Sequence, residues 1–141
     1  MSILSDRDRQ AVQKEFESLA SPVKLTVFSQ ALGSEACAET ERLIKEVVEC
    51  SEKLSMEVLN LVLDRERAEA YGVDRVPAVV VEGARDYGIR FLGIPGGYEF
   101  SNLIDSIVVA STGKPGLSIE TQEALAGLKS PVHIRVFTTP T

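Results

Sequence analysis

Few residues in this chain can hold a metal or form a bridge. There is one histidine, His133, and there are two cysteines, Cys37 and Cys50, in 141 residues. So thin a donor set makes no metal site. If both cysteines lie on one helix, about 20 Å separates them at ~1.5 Å per residue, far beyond the roughly 7 Å between Cα atoms that a disulfide spans. An internal bridge is therefore not expected. Positive charge is also in deficit: 15 Lys and Arg stand against 21 Asp and Glu, a net charge of −6. With no basic cluster to offset it, a nucleic-acid surface is not expected. No apolar run approaches the ~18 residues of a membrane span. The opening residues, Met1 to Arg9, lack the apolar centre of a secretion signal, so a cytoplasmic location is expected.

What remains is an ordinary globular composition, 44% hydrophobic and 26% charged. The length fits one domain, or one domain and a fragment. Such a chain buries roughly two thirds of the surface it exposes when unfolded, so no covalent staple is needed.

The informative stretch runs from Pro22 to Cys37. Val23, Leu25 and Val27 alternate with Lys24 and Thr26, and Phe28 closes the run, which predicts a buried strand over about 23–29. A short loop then enters a helix at Ser34. A strand, a loop and a helix that begins at a cysteine form the arrangement of thiol redox proteins, because free N–H groups and the dipole at a helix N-terminus stabilise a thiolate. Such sites use two cysteines spaced Cys-x-x-Cys. Here the spacing survives, but its first position is Ser34.

Before this stretch, Ser5 and Asp8 resemble a capping box, and Val12, Phe16 and Leu19 share one face, predicting a helix over about 6–19. After it, Cys37, Thr40, Ile44, Val47 and Val48 form an apolar stripe with Leu43 on a helix expected to reach Lys53. The run Met56–Leu63 is nearly continuous in apolar residues and reads as a parallel strand in a central position. Together these make a right-handed βαβ unit. Arg65–Tyr71 reads as a short helix closed by Gly72 in the left-handed conformation. Pro77 has no N–H and belongs at a strand start or an edge. A hairpin follows, Ala78–Glu82 and Tyr87–Leu92. The glycines of Gly93–Gly97 lack nucleotide-loop spacing and read as a turn. Phe100, Leu103, Ile104, Ile107 and Val108 then mark a clear helix. Ser118 is expected to cap a last helix to about Lys129, with Leu125 and Leu128 facing inward.

One octapeptide recurs. Ser21–Phe28 reads Ser-Pro-Val-Lys-Leu-Thr-Val-Phe, and Ser130–Phe137 reads Ser-Pro-Val-His-Ile-Arg-Val-Phe, with five of eight positions identical. Each copy follows an amphipathic helix, so duplication is the reading, and a second strand is expected over 130–137. His133 would be a structural histidine on that strand.

Val23–Phe28, the Val76-Pro77 step, the motif Phe91-x-Gly93-x-Pro95-x-Gly97-x-Glu99-Phe100 and the final Val136–Thr141 resemble the N-terminal part of the glutaredoxin-like protein disulfide oxidoreductases, over essentially the whole chain. That family consists of two tandem thioredoxin-fold units. The resemblance implies an α/β, thioredoxin-like fold: a central mixed four-stranded sheet flanked by helices, with an extra N-terminal helix. It also implies a first unit over 1–112, a linker over 113–117, and the beginning of a second unit over 118–141 whose Cys-x-x-Cys follows Thr141. It makes Val76-Pro77 a cis bond beside the active site, able to pair with an extended peptide. The flavoprotein component of alkyl hydroperoxide reductase is a related case whose first unit lacks the cysteine pair.

Three functions follow. The favoured one is the redox-degenerate N-terminal unit of a thiol–disulfide oxidoreductase, supporting or docking an active second unit. The others are a monothiol unit using Cys37, and a non-catalytic interaction module. Cys37 matches the second cysteine of the family pair, and on its apolar stripe it reads as a small core residue. Ser34 replaces the first, and reads as a helix cap rather than a nucleophile, since no base is near it in sequence. No cofactor or metal is implied. Expected partners are the second unit and a protein disulfide substrate or flavoprotein reductase, not nucleic acid or a membrane.

Overall fold

The computed structural model describes residues 2–30 and 32–139. Helix α1 (Asp6–Phe16) leads into strand β1 (Val23–Ser29), helix α2 (Glu35–Val48) and strand β2 (Leu54–Asn60). Helix α3 (Arg65–Tyr71), the hairpin β3 (Ala78–Glu82) and β4 (Asp86–Leu92), helix α4 (Tyr98–Thr112) and helix α5 (Ile119–Ala126) complete the chain. The sheet has the order β2-β1-β3-β4, with β1 parallel to β2 and the other two pairings antiparallel. This is the expected mixed four-stranded sheet, with the extra helix in front.

Strand alternation decides which layer each residue joins. Val23, Leu25 and Val27 of β1 face the larger core with Val79 and Val81 of β3. That core is closed by Val12 and Phe16 from α1, Leu43, Ile44 and Val47 from α2, and Leu103 and Ile107 from α4. Phe28, Ala78 and Val80 face the other side, against Ala68 of α3 and Val73. Helix α3 has only two turns, so charge pairs complete this second layer. Glu57 of β2 accepts from both Arg67 of α3 and Lys24 of β1. Tyr71 donates to Glu82 (2.8 Å), and Arg90 donates to the Tyr71 carbonyl (3.0 Å) and pairs with Asp86 (2.6 Å).

Several boundaries differ from expectation. Helix α1 stops at Phe16, though Leu19 is still buried. Helix α2 ends at Val48, short of Lys53, because Cys50 and Ser51 donate back to Val47 and Val48 and turn the chain toward β2. Strand β2 ends at Asn60, and it is an edge strand, not a central one. The apolar residues that suggested two-sided cover, Val58, Val62 and Leu63, are 47%, 76% and 84% exposed.

The C-terminal segment departs furthest. Ser118 caps α5 as expected, its Oγ accepting from Thr121 N–H at 3.2 Å. Yet the helix ends at Ala126 and buries nothing; Leu125 and Leu128 are exposed. Residues 130–137 form no strand, and Val132, Ile134, Val136 and Phe137 lie open to solvent. An alternating pattern makes a strand only where a neighbour accepts its backbone bonds, and none does here among the described residues. His133 is likewise exposed, 3.3 Å from Arg135 Nε, rather than a buried structural residue.

Three carboxylates have pKa values held at about 2. At Glu57 the hydrogen bonds from Arg67 and then Lys24 are the cause. At Asp86 it is the bond from Arg90. At Glu46 burial pushes upward, but the Ile3 and Leu4 N–H groups, the Ser2 hydroxyl and Arg9 outweigh it. A carboxylate whose folded pKa lies below its unfolded value contributes stability above the unfolded value and loses it as pH falls through the folded one. Unfolding free energy should therefore decline as pH drops from about 4.5 toward about 2. Glu57→Gln should flatten that slope, as urea melts at a series of pH values will read. An unchanged slope would remove Glu57 from the account.

Candidate functional site

The pairing register gathers four loops at one end of the sheet. Phe28 pairs with Ala78, Ser29 with Asn60, and Ala78 with Leu92. The C-terminal ends of β1, β2 and β4 and the start of β3 therefore meet there. That end carries the loop to Ser34, the turn after Asn60, the Val76-Pro77 step and the Gly93–Gly97 loop. Residues far apart in sequence, Ser34 and Pro77, are thus brought to one rim.

Ser34 has extended backbone, and its Oγ accepts from Cys37 N–H at 3.2 Å, satisfying a donor that the first helical turn leaves free. Cys37 follows on the core side of α2 and is only 1% exposed. Its thiol is unpaired, as is that of Cys50, which sits just past the helix end with its Sγ 3.3 Å from the Glu46 carbonyl. Burial pushes the Cys50 thiol pKa up. His133 lies on the exposed C-terminal segment.

The Val76-Pro77 bond is cis, and Pro77 is buried. Its carbonyl accepts from Gly93 N–H at 2.9 Å, tying the proline loop to the glycine loop. Gly93 has φ 96°, a conformation that favours glycine, and Gly97 at the entrance of α4 has φ 57°. A cleft of about 740 Å³ lies between Ile94–Glu99 and Thr138–Thr139.

Chemically the rim offers a hydroxyl engaged in capping, a buried thiol and a rigid proline turn. It does not present the dithiol that a Cys-x-x-Cys site would. Sequence reasoning missed the apolar character of the rim. Leu32, Val62 and Leu63, in the loops that leave β1 and β2 at this end of the sheet, are 87%, 76% and 84% exposed. The signal was present in the run Val58–Leu63, which outlasts the strand that ends at Asn60. No helix is long and apolar enough to cross a membrane among the described residues.

No family model matches this chain. It is 31% identical over 86 residues to a probable thioredoxin of Methanothermobacter marburgensis, covering 60% of this chain and 96% of that one. Among solved structures it superposes on the alkylhydroperoxide reductase protein AhpF of Enterococcus faecalis with a TM-score of 0.81 at 24% identity, over 89% of this chain and 61% of that one. It superposes on a protein disulfide oxidoreductase of Aeropyrum pernix with a TM-score of 0.79 at 31% identity, over 92% of this chain and 57% of that one. The chain thus spans about three fifths of each of these two solved chains.

Proposed function

This chain belongs to the thioredoxin family, and from that premise we propose that it is a redox-degenerate unit of a thiol–disulfide oxidoreductase, one that supports or docks an active partner unit rather than exchanging disulfides itself. The observation that carries this is the capping bond from Cys37 N–H to Ser34 Oγ with the Cys37 thiol buried behind it. Thiol–disulfide exchange begins with an accessible thiolate, and the position at the helix entrance holds a hydroxyl. The same burial weighs against the monothiol alternative.

The active partner on this reading is a second thioredoxin-fold unit of the same parent chain, beginning with α5 after a linker over 113–117. The repeated octapeptide supports it. So does the exposure of Val132, Ile134, Val136 and Phe137, apolar side chains of a kind that a packed unit would cover. Val76 and Pro77 would present backbone to an extended segment of a protein disulfide substrate or of a flavoprotein reductase. The working compartment on this reading is the cytoplasm, where the two unpaired thiols stay reduced.

Two assays test the degenerate unit. The folded chain should not catalyse insulin-disulfide reduction, and iodoacetamide at pH 7 should label Cys37 only on unfolding. Rapid labelling of the native protein, or turnover abolished by Cys37→Ser, would establish the monothiol reading instead. The codons beyond Thr141 test the second unit: Cys-x-x-Cys is expected within the next few, and a stop codon would overturn it.

A further inference from the structure

The two edges of the sheet are treated differently. On β4 the outer edge is interrupted: Gly88 has φ 85° and its N–H is taken by Asp86 at 2.9 Å. The pairing behind it also shifts register at Val81 and Glu82. Such irregularities and charges protect an exposed edge from pairing with another chain.

On β2 only the ends are protected. The Val23 N–H donates to Lys53 O and the Leu61 N–H to Ser29 O, so odd-numbered residues of β2 turn their backbone toward β1 and even-numbered ones turn theirs outward. Of the outward residues, Leu54 donates to Ser51. Asn60 donates to Asp64 Oδ2 at 2.8 Å and accepts from Asp64 N–H at 2.9 Å. The outward groups of Met56 and Val58 lie between these two plugs. Their side chains border an apolar groove whose other wall is Ala38, Glu41, Arg42 and Lys45 of α2.

We propose that this edge is a self-association surface that takes a second copy of this chain, β2 against β2, across a two-fold axis at Glu57. Antiparallel pairing about that axis sets Met56 opposite Val58 of the other copy, and each such pair exchanges two backbone bonds. The open window is thus the length the symmetric pairing needs. The axis stands normal to the sheet, so both copies of α2 lie on one face and run antiparallel. Glu41 borders the Asn60 end of β2, and Lys45 lies one helical turn further along α2, toward Met56. The two-fold therefore brings Glu41, whose Oε1 accepts from the Ser29 hydroxyl and whose Oε2 remains, to the level of Lys45 of the other copy, a self-complementary arrangement of the isologous kind. On the opposite face the two Glu57 side chains meet already neutralised by Lys24 and Arg67. Four backbone bonds and a short apolar strip form a small interface, so the association should depend on concentration.

Sedimentation equilibrium of the chain decides it. A dimer mass is expected to emerge at concentrations below about 1 mM. Val58→Lys should abolish the dimer while leaving the melting temperature of the fold in place. Lys45→Glu should weaken it, and Glu41→Lys with Lys45→Glu in one chain should restore it, since the swapped charges again face each other. A monomer mass throughout would overturn the proposal. So would a dimer indifferent to Val58→Lys and Lys45→Glu, or one lost on Phe137→Ser alone, which would move the contact to the exposed C-terminal segment.

Discussion

Ser34→Cys should give the chain a reversible disulfide and raise its insulin-disulfide reduction well above that of the unmodified chain. Position 34 is the extended N-cap of α2, so its side chain already points at the free N–H groups of the first helical turn. The Ser34 hydroxyl sits 3.2 Å from the Cys37 N–H, and Gly33 before it has φ 77° with nothing within 4 Å of where a Cβ would be. A thiol in place of that hydroxyl would receive the same N–H and the same helix dipole, the two influences that favour a thiolate. Position 34 is half-buried, so the new thiol would reach solvent, with Cys37 behind it as the resolving partner. Titration with a thiol reagent after mild oxidation should find two fewer thiols per chain than in the reduced variant, and insulin turbidity should develop with dithiothreitol at a rate well above that of the unmodified chain. If the variant keeps all its thiols after oxidation and its turnover does not rise, the proposal that Ser34 is what disables the site is overturned.

Gly83→Ala should be among the most damaging single-methyl changes available to the fold. Gly83 ends β3 where the hairpin turns beneath α4. A Cβ built there would lie 1.9 Å from the Ala110 carbonyl oxygen and 2.7 Å from its carbon. Both atoms are backbone, and Ala110 is itself 1% exposed within the core, so no side chain can swing aside. Either α4 lifts from the sheet or the β3 end bends. Overpacking of this kind costs about 3 kcal/mol, equivalent to roughly 10 °C in melting temperature for a unit of this size. Gly96→Ala is the control. Its nearest neighbour would be Ile94 Cγ2 at 3.8 Å, so stability should stay within about 0.5 kcal/mol. Equal thermal shifts in the two variants would show that the Ala110 contact is not what sets the Gly83 requirement.

Much of the fold is legible in the sequence because local chemistry and tertiary packing agree there. The alternation of Val23, Leu25 and Val27, the left-handed Gly72 after Tyr71, Pro77 just ahead of β3, and the stripe from Phe100 to Val108 each have a single good structural solution. Strand β2 was less legible because an apolar run states what is buried or sticky, not which neighbour lies beside it. Leu61–Leu63 belong to a rim, and rims and buried strands draw on the same residues. The C-terminal segment fails for a different reason. Residues 130–137 carry a strand pattern nearly identical to β1, but β1 is held by β2 and β3, and nothing among the described residues plays those parts for the second copy. At the site, Ser34 and Cys37 were legible because capping residues and helix periodicity are local. Leu32 was not, since a lone leucine in a loop carries no periodic signal.

Ser21 and Ser111 close the body of the unit from β1 to α4, which α1 precedes. The Ser21 N–H donates to Ser111 Oγ at 2.9 Å, the Ser111 hydroxyl returns a bond to the Ser21 carbonyl at 2.8 Å, and the Ser21 hydroxyl reaches the Ser111 carbonyl. The entrance of the central strand and the last turn of α4 are clasped side by side, although 90 positions separate them in sequence. A module whose ends meet can be copied head to tail, or spliced into a host loop, without any path having to cross its body. The octapeptide that opens at Ser21 opens again at Ser130, and α5 precedes the second copy as α1 precedes the first, so on the duplication reading the seam fell between Ser111 and Ser118, just past this clasp, where the gene could be doubled and the first unit left undisturbed.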